Sequence, residues 1–176
     1  MEPHTSTFLK AHCLMNESIV ALNSFNRQYL HRLIDSIADP ELDATFGAGS
    51  HSARWILAHL AIAVDYGFKQ VDMPFVAPKD WHAAYGPGSE AGSDAKFRPT
   101  KAELLKFIDE NYVKLCIVSL DVDKAKLSVA HTVPLLYDTP VKSKGDLLNH
   151  ILTTHFASHL GQLSSWRRLI GLPPLF

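Results

Sequence analysis

The chain is short of cysteine, of clustered charge and of long apolar runs, and each shortage removes a class of protein. Its 176 residues include two cysteines, Cys13 and Cys116, which allow one disulfide at most, and nothing points to an oxidising compartment. Each lies in a helical pattern, where a small buried apolar residue is the plain reading. Formal net charge is −1 and no block of like charge occurs, so neither nucleic acid nor a membrane is an expected partner. The longest apolar stretch, Trp55 to Val64, is broken by His59 and is too short to span a bilayer. The first residues, MEPHTSTFLKAH, lack a basic segment followed by an apolar one, so no secretory signal is read and a cytoplasmic protein is expected.

What is present suits a packed core. With 47% hydrophobic and 20% charged residues, the chain reads as one globular domain spanning residues 1–176. No segment reads as a β-strand, and four long segments carry helical periodicity. The first runs from about Thr7 to Ala38, with Met15, Ile19, Leu22, Phe25, Tyr29, Leu33 and Ile37 at spacings of three and four. Asp39-Pro40 ends it, because the residue before a proline is pushed out of the α region. The second starts with Ser50 or Ser52 as its N-cap and continues to about Val71. The third follows Pro99, where Thr100 and Glu103 form a capping box, and runs to about Ser119. The fourth opens at Ser143-Lys-Gly-Asp146 and reaches Ile170, where Gly171 and Pro173-Pro174 stop it.

Four helices without repeat or linker predict an all-α fold, a single four-helix bundle with a long loop between helices two and three. That loop, residues 72–98, holds Phe75, Trp81, His82 and Tyr85. Aromatics in a long segment point either to a lid, with Tyr66, Trp81, His82 and Tyr85 as substrate wall and specificity seated there, or equally to a loop merely packed on the bundle. A second irregular connection spans residues 120–142, where Pro134 and Pro140 flank Leu135-Leu136. On the first helix, His12, Asn16 and Asn23 recur near one face, either lining a pocket or, more simply, facing solvent.

Ten histidines against three methionines and three tryptophans make histidine the conspicuous residue type. His155 and His159 are four apart, so on an α-helix they differ by about 40° in azimuth and about 6 Å in height and can converge on one ion. Their stripe also holds Leu148, Ile151, Leu152, Gln162, Leu163, Trp166 and Ile170, which is the apolar face. His59 shares the face of Ser52, Trp55, Ile56, Ala63, Tyr66 and Gln70 on the second helix, and Ala63 leaves room beside its ring. An HxxxH pair alone says little in so histidine-rich a chain. Three inward imidazoles say more, since each buried polar group without a partner costs at least ~1–3 kcal/mol. A shared metal removes that cost, and Gln162 or Tyr66 is placed to accept from a second ring nitrogen.

Trp55-Ile-Leu-Ala-His59-Leu-Ala and His155-Phe-Ala-Ser-His159-Leu-Gly161-Gln162-Leu resemble the two histidine motifs of the DinB-like family, in the same order and separation. The resemblance implies an up-down-down-up bundle in which His59, His155 and His159 hold a divalent ion, nickel or zinc foremost. It also implies frequent homodimers. Relatives of that family include transferases that use a low-molecular-weight thiol as cosubstrate. Three imidazoles leave positions open for a small-molecule substrate. Thiol transfer is the first expectation and metal-dependent hydrolysis the second, since HFASH lacks the glutamate of HExxH. A non-catalytic bundle that the metal stabilises, or that senses metal, is the alternative of another class.

Overall fold

The computed structural model of the chain describes residues 4–47, 49–89 and 98–175, with side chains from residue 17 onward. It is all-helical, 67% helix, with no strand among the described residues. The long helices are α1 (His4–Ile34), α2 (Ala53–Gln70) and α4 (Lys101–Leu120). A fourth rod is assembled from α6 (Lys144–His150), one π turn (Ile151–His155) and α7 (Phe156–Leu169). Shorter pieces are α3 (Lys79–Tyr85), α5 (Lys124–Leu127) and a 3₁₀ turn at Asp39–Asp43.

Helix starts follow local chemistry. The Ser52 hydroxyl accepts from Trp55 N–H and caps α2. Ser50, the other candidate, instead accepts from Phe46 N–H and donates to the Gly47 carbonyl. Thr100 with Glu103 and Ser143 with Asp146 close reciprocal capping boxes on α4 and α6. α1 stops at Ile34 and not near Ala38, because the following residues enter the 3₁₀ turn that Pro40 opens. The expected long loop between α2 and α4 is not structureless, since α3 occupies Lys79–Tyr85.

The buried face of α1 also departs from its apolar periodicity. Leu22 and Phe25 are 53% and 56% exposed, whereas Asn23 and Asn26 lie in the interior beside Leu30, Leu33 and Ile34. Asn23 therefore neither lines a pocket nor faces solvent. The side chains of His12, Cys13 and Asn16 lie outside the described residues. Cys116 is a buried free thiol whose pKa burial pushes up to about 11.

α2 is the central element, with nearly every residue buried. Tyr112 of α4 donates to the Leu60 carbonyl, and Leu115 packs on Gly67, where a Cβ would stand only 2.4 Å from its methyl carbon. Arg27 and His31 of α1 reach Asp109, and Lys101 donates to the Ile37 carbonyl. At one end of the molecule buried Arg54 ties Asp39, Asp43 and the Pro99 carbonyl together. At the same level Trp166 donates to Ala44 and Arg167 to Leu33. These polar ties fix how far each helix slides against its neighbours.

A candidate metal centre at the π turn

His59 comes from the middle of α2, and His155 and His159 from the end of the π turn and the first turn of α7. Ring centroids of His59 lie 5.3 Å from His155 and 4.8 Å from His159, and the latter two lie 4.6 Å apart. One nitrogen from each ring falls within 4.8 Å of the others. His59 is 8% exposed, while His155 and His159 are half-buried at the edge of a cleft. The azimuth of an ideal helix would have put both deeper; they sit at the rim of the core.

The hydrogen bonds decide which nitrogens are free. His59 Nδ1–H donates to the Tyr85 carbonyl at 2.8 Å, and His159 Nδ1–H donates to Gln162 Oε1 at 2.8 Å. Each bond fixes a tautomer that leaves the Nε2 lone pair unprotonated. His155 Nε2 stands 3.3 Å from His159 Nε2, and His155 Nδ1 is buried without a partner. Two nitrogens bound at roughly 2.0–2.1 Å to one tetrahedral ion stand about 3.3–3.4 Å apart, so this pair already has the spacing an ion requires.

All three rings are held neutral. Burial pushes His155 down to about 2, with its histidine neighbours adding to the effect. Burial and His59 push His159 down to about 4, and burial also lowers His59. Neutral imidazole is the ligand form, so the pocket prepares the donor set before any ion arrives.

The π turn is supported from α1. A π turn leaves carbonyls without their usual helical donors. Asn23 Nδ2 donates to the Leu152 carbonyl at 2.9 Å, and Asn26 Nδ2 to the Thr153 carbonyl at 3.2 Å. The same turn brings His150 against His155, with centroids 5.7 Å apart. On an uninterrupted α-helix, residues five apart would diverge by about 140°. Periodicity therefore gave no reason to include His150.

A cleft of about 440 Å³ opens on His59 and His155 and includes Tyr66, Lys69 and His150 in its walls. Its roof is Thr132–Leu136 from the second irregular connection, and among the described residues only Pro87 comes from the first. Among the described residues, the cleft is therefore roofed by residues 132–136 and not by the aromatics of the connection between α2 and α4. Trp81 packs edge-to-face on Phe107 and takes no part in the cleft. Tyr85 contributes its carbonyl to His59 while its side chain is buried in the core. His82 is bonded to buried Asp65, whose carboxylate also accepts from Val76 and Ala77 N–H. Asp65 thereby pins the α2–α3 connection and is bonded to His82 and not to the three clustered imidazoles.

His51 was also missed by sequence reasoning. It stacks on Trp55 at 3.5 Å, and Trp55 stacks on His59 at 4.7 Å, making a column of three parallel rings. The i, i+4 spacing of 51, 55 and 59 carried that signal, hidden because Ser52 starts the helix after His51.

Helices throughout and three converging neutral imidazoles beside a cleft define a helical protein with a site suited to a divalent metal. The DinB superfamily profile matches residues 23–163, which contain all three histidines and both supporting asparagines, and the chain belongs to that superfamily. Its members commonly bind divalent metals. No curated protein matches the sequence.

Proposed function

We propose that His59, His155 and His159 ligate one divalent ion, nickel or zinc, and that the centre transfers a low-molecular-weight thiol to a small electrophile. The observation that carries this reading is the 3.3 Å approach of two neutral Nε2 atoms at the edge of an open cleft. A bound ion supplies Lewis acidity that keeps a coordinated thiol ionised at neutral pH. The chain does the rest: Tyr85 and Gln162 aim two rings, and the cleft walls hold the electrophile. Hydrolysis ranks second because, among the described residues, the cleft lining offers no carboxylate to act as base, and Asp65 is committed to the α2–α3 connection.

The same proposal includes a single-domain up-down-down-up bundle. Its support is in the cross-links: Leu60 with Tyr112 and Arg54 with Pro99 run α2 and α4 the same way. Asn23 with Leu152 and Leu33 with Arg167 do so for α1 and the fourth rod, and Arg27 with Asp109 sets α1 against α4. A homodimer completes it, supported by the exposed Leu22 and Phe25 of α1 and Val113 and Ile117 of α4.

Elemental analysis of purified protein is the first test, with about one ion per chain expected. Incubation with bacillithiol, mycothiol or glutathione and a panel of electrophiles, with and without the ion, is the second. Metal-dependent thiol consumption supports the transferase reading. A metal-replete protein inert to every pair, with a melting temperature that drops on chelation, assigns the ion a structural role.

A further inference from the structure

The cleft beside His59 and His155 has a length and a polarity of its own. Its floor follows α2 from His59 through Ala63 and Tyr66 to Lys69, an advance of about 15 Å along the helix axis. Leu147 and Ile151 form the facing wall, and Pro134 to Leu136 cover it. The roof is fixed in place. Lys144 N–H donates to Val129, His131 N–H to Lys142, and the His131 ring bridges Val133 N–H and the Val141 carbonyl. A preformed, mainly apolar slot of this kind is the usual form of a small-molecule site.

Lys69 is the only charged residue in the lining among the described residues. It pairs with no carboxylate among the described residues. Asp72, three residues on, is taken by Lys126 and Lys144. Among the described residues, the end of the cleft away from the imidazoles thus presents a cation without an internal counter-ion, and an anionic ligand group gains a charge-assisted hydrogen bond there. A cationic group is repelled, and a neutral one forgoes that bond.

We propose that the cleft binds an amphipathic monoanion, with its carboxylate at Lys69, its hydrocarbon body under Pro134–Leu136, and its reacting end at His59 and His155. A lysine stem takes up roughly 6 Å of the length, which leaves room for a body of about eight carbon atoms. Only the role of the reacting end rests on the proposed metal-centred transfer; occupancy of the cleft does not require the ion.

Calorimetric titration with octanoate, octanamide and octylammonium tests this on the metal-loaded protein and on the His159→Ala variant. Octanoate is expected to bind at least about tenfold more tightly than octanamide, and octylammonium not measurably. Lys69→Met, an exposed change, is expected to erase the octanoate preference and leave octanamide binding unaltered. Ala63→Leu, which narrows the floor, is expected to weaken both, with metal content as the check on folding. Equal affinity for octanoate and octanamide overturns the proposal, as does undiminished octanoate binding by Lys69→Met. Octanoate binding that persists in metal-free His159→Ala upholds it. Absence of metal from the wild-type protein would overturn the transfer reading alone, so the two failures are distinguishable.

Discussion

At the scale of single residues, the three clustered imidazoles are poor bases and prepared ligands for the same reason. Burial strips water from each ring, which disfavours the charged form, while Tyr85 and Gln162 accept from the Nδ1–H of two of them and leave Nε2 free. Gln162→Ala removes one acceptor and frees the His159 ring to turn. It is expected to weaken metal binding by about 10- to 100-fold, measured by competition with a chromophoric chelator, while His159→Ala abolishes it. The depressed pKa values also set a pH dependence. Below the ordinary value of 6.5 the unfolded chain takes up protons that the folded chain refuses, so stability is full above pH 6.5 and falls as the pH drops towards 4. Each ring removes at most about 1.4 kcal/mol per pH unit in that window. Urea melts of metal-free protein from pH 7.5 to 4.5 read this directly; a flat profile would contradict the burial of the rings. Depressed carboxylates such as Asp39 and Asp146 act at lower pH, so the two contributions separate.

At the scale of elements, the π turn decides what stands beside the HxxxH pair. Its extra residue rotates His150 towards His155, and its loosened carbonyls are satisfied from α1 by Asn23 and Asn26. Asn23→Leu keeps the volume but removes the bond to the buried Leu152 carbonyl and the acceptor of Arg27 Nε, a loss of about 1–3 kcal/mol. Beyond that loss, the cobalt-substituted protein is expected to change its visible absorption, because His155 shifts with the turn. Thr100→Ala, which removes the α4 cap and costs about 1 kcal/mol, is the control that should leave the cobalt spectrum alone. Identical spectra in all three proteins would show that the turn holds its shape without Asn23. The capping residues Ser52, Thr100 and Ser143 were legible because a cap is a contract between residues two or three apart. The π turn was not, because its justification lies on another helix more than a hundred residues away.

At the scale of the whole molecule, some apolar side chains that fit the helical spacing lie outside the core. Leu22 and Phe25 fit the helical spacing of α1 yet face outward, and the Arg27–Asp109 pair sets them level with Val113 and Ile117 of α4. If a second copy covers this surface, sedimentation should report a dimer, and Phe25→Glu together with Ile117→Glu should return a monomer that keeps its metal. A wild-type monomer at tens of micromolar would remove the dimer from the proposal. The cleft roof is decided at this scale too. Residues 132–136 reach the imidazoles only because α6 starts beside Val129 and closes the connection over α2.

The sequence by itself determined the helical class, the helix starts and the three histidines, since these depend on periodicity and on contacts within a few residues. It also determined that Gln162 could serve His159, three residues away on the same turn. Tertiary structure alone decided that Asn23 and Asn26 would be buried, that a carbonyl of Tyr85 and not its ring would orient His59, and that the roof would come from the second connection. The asparagines and the Tyr85 carbonyl pair with partners distant in sequence, and the roof depends on how a connection folds back over α2; hydrophobic periodicity carries no information about either.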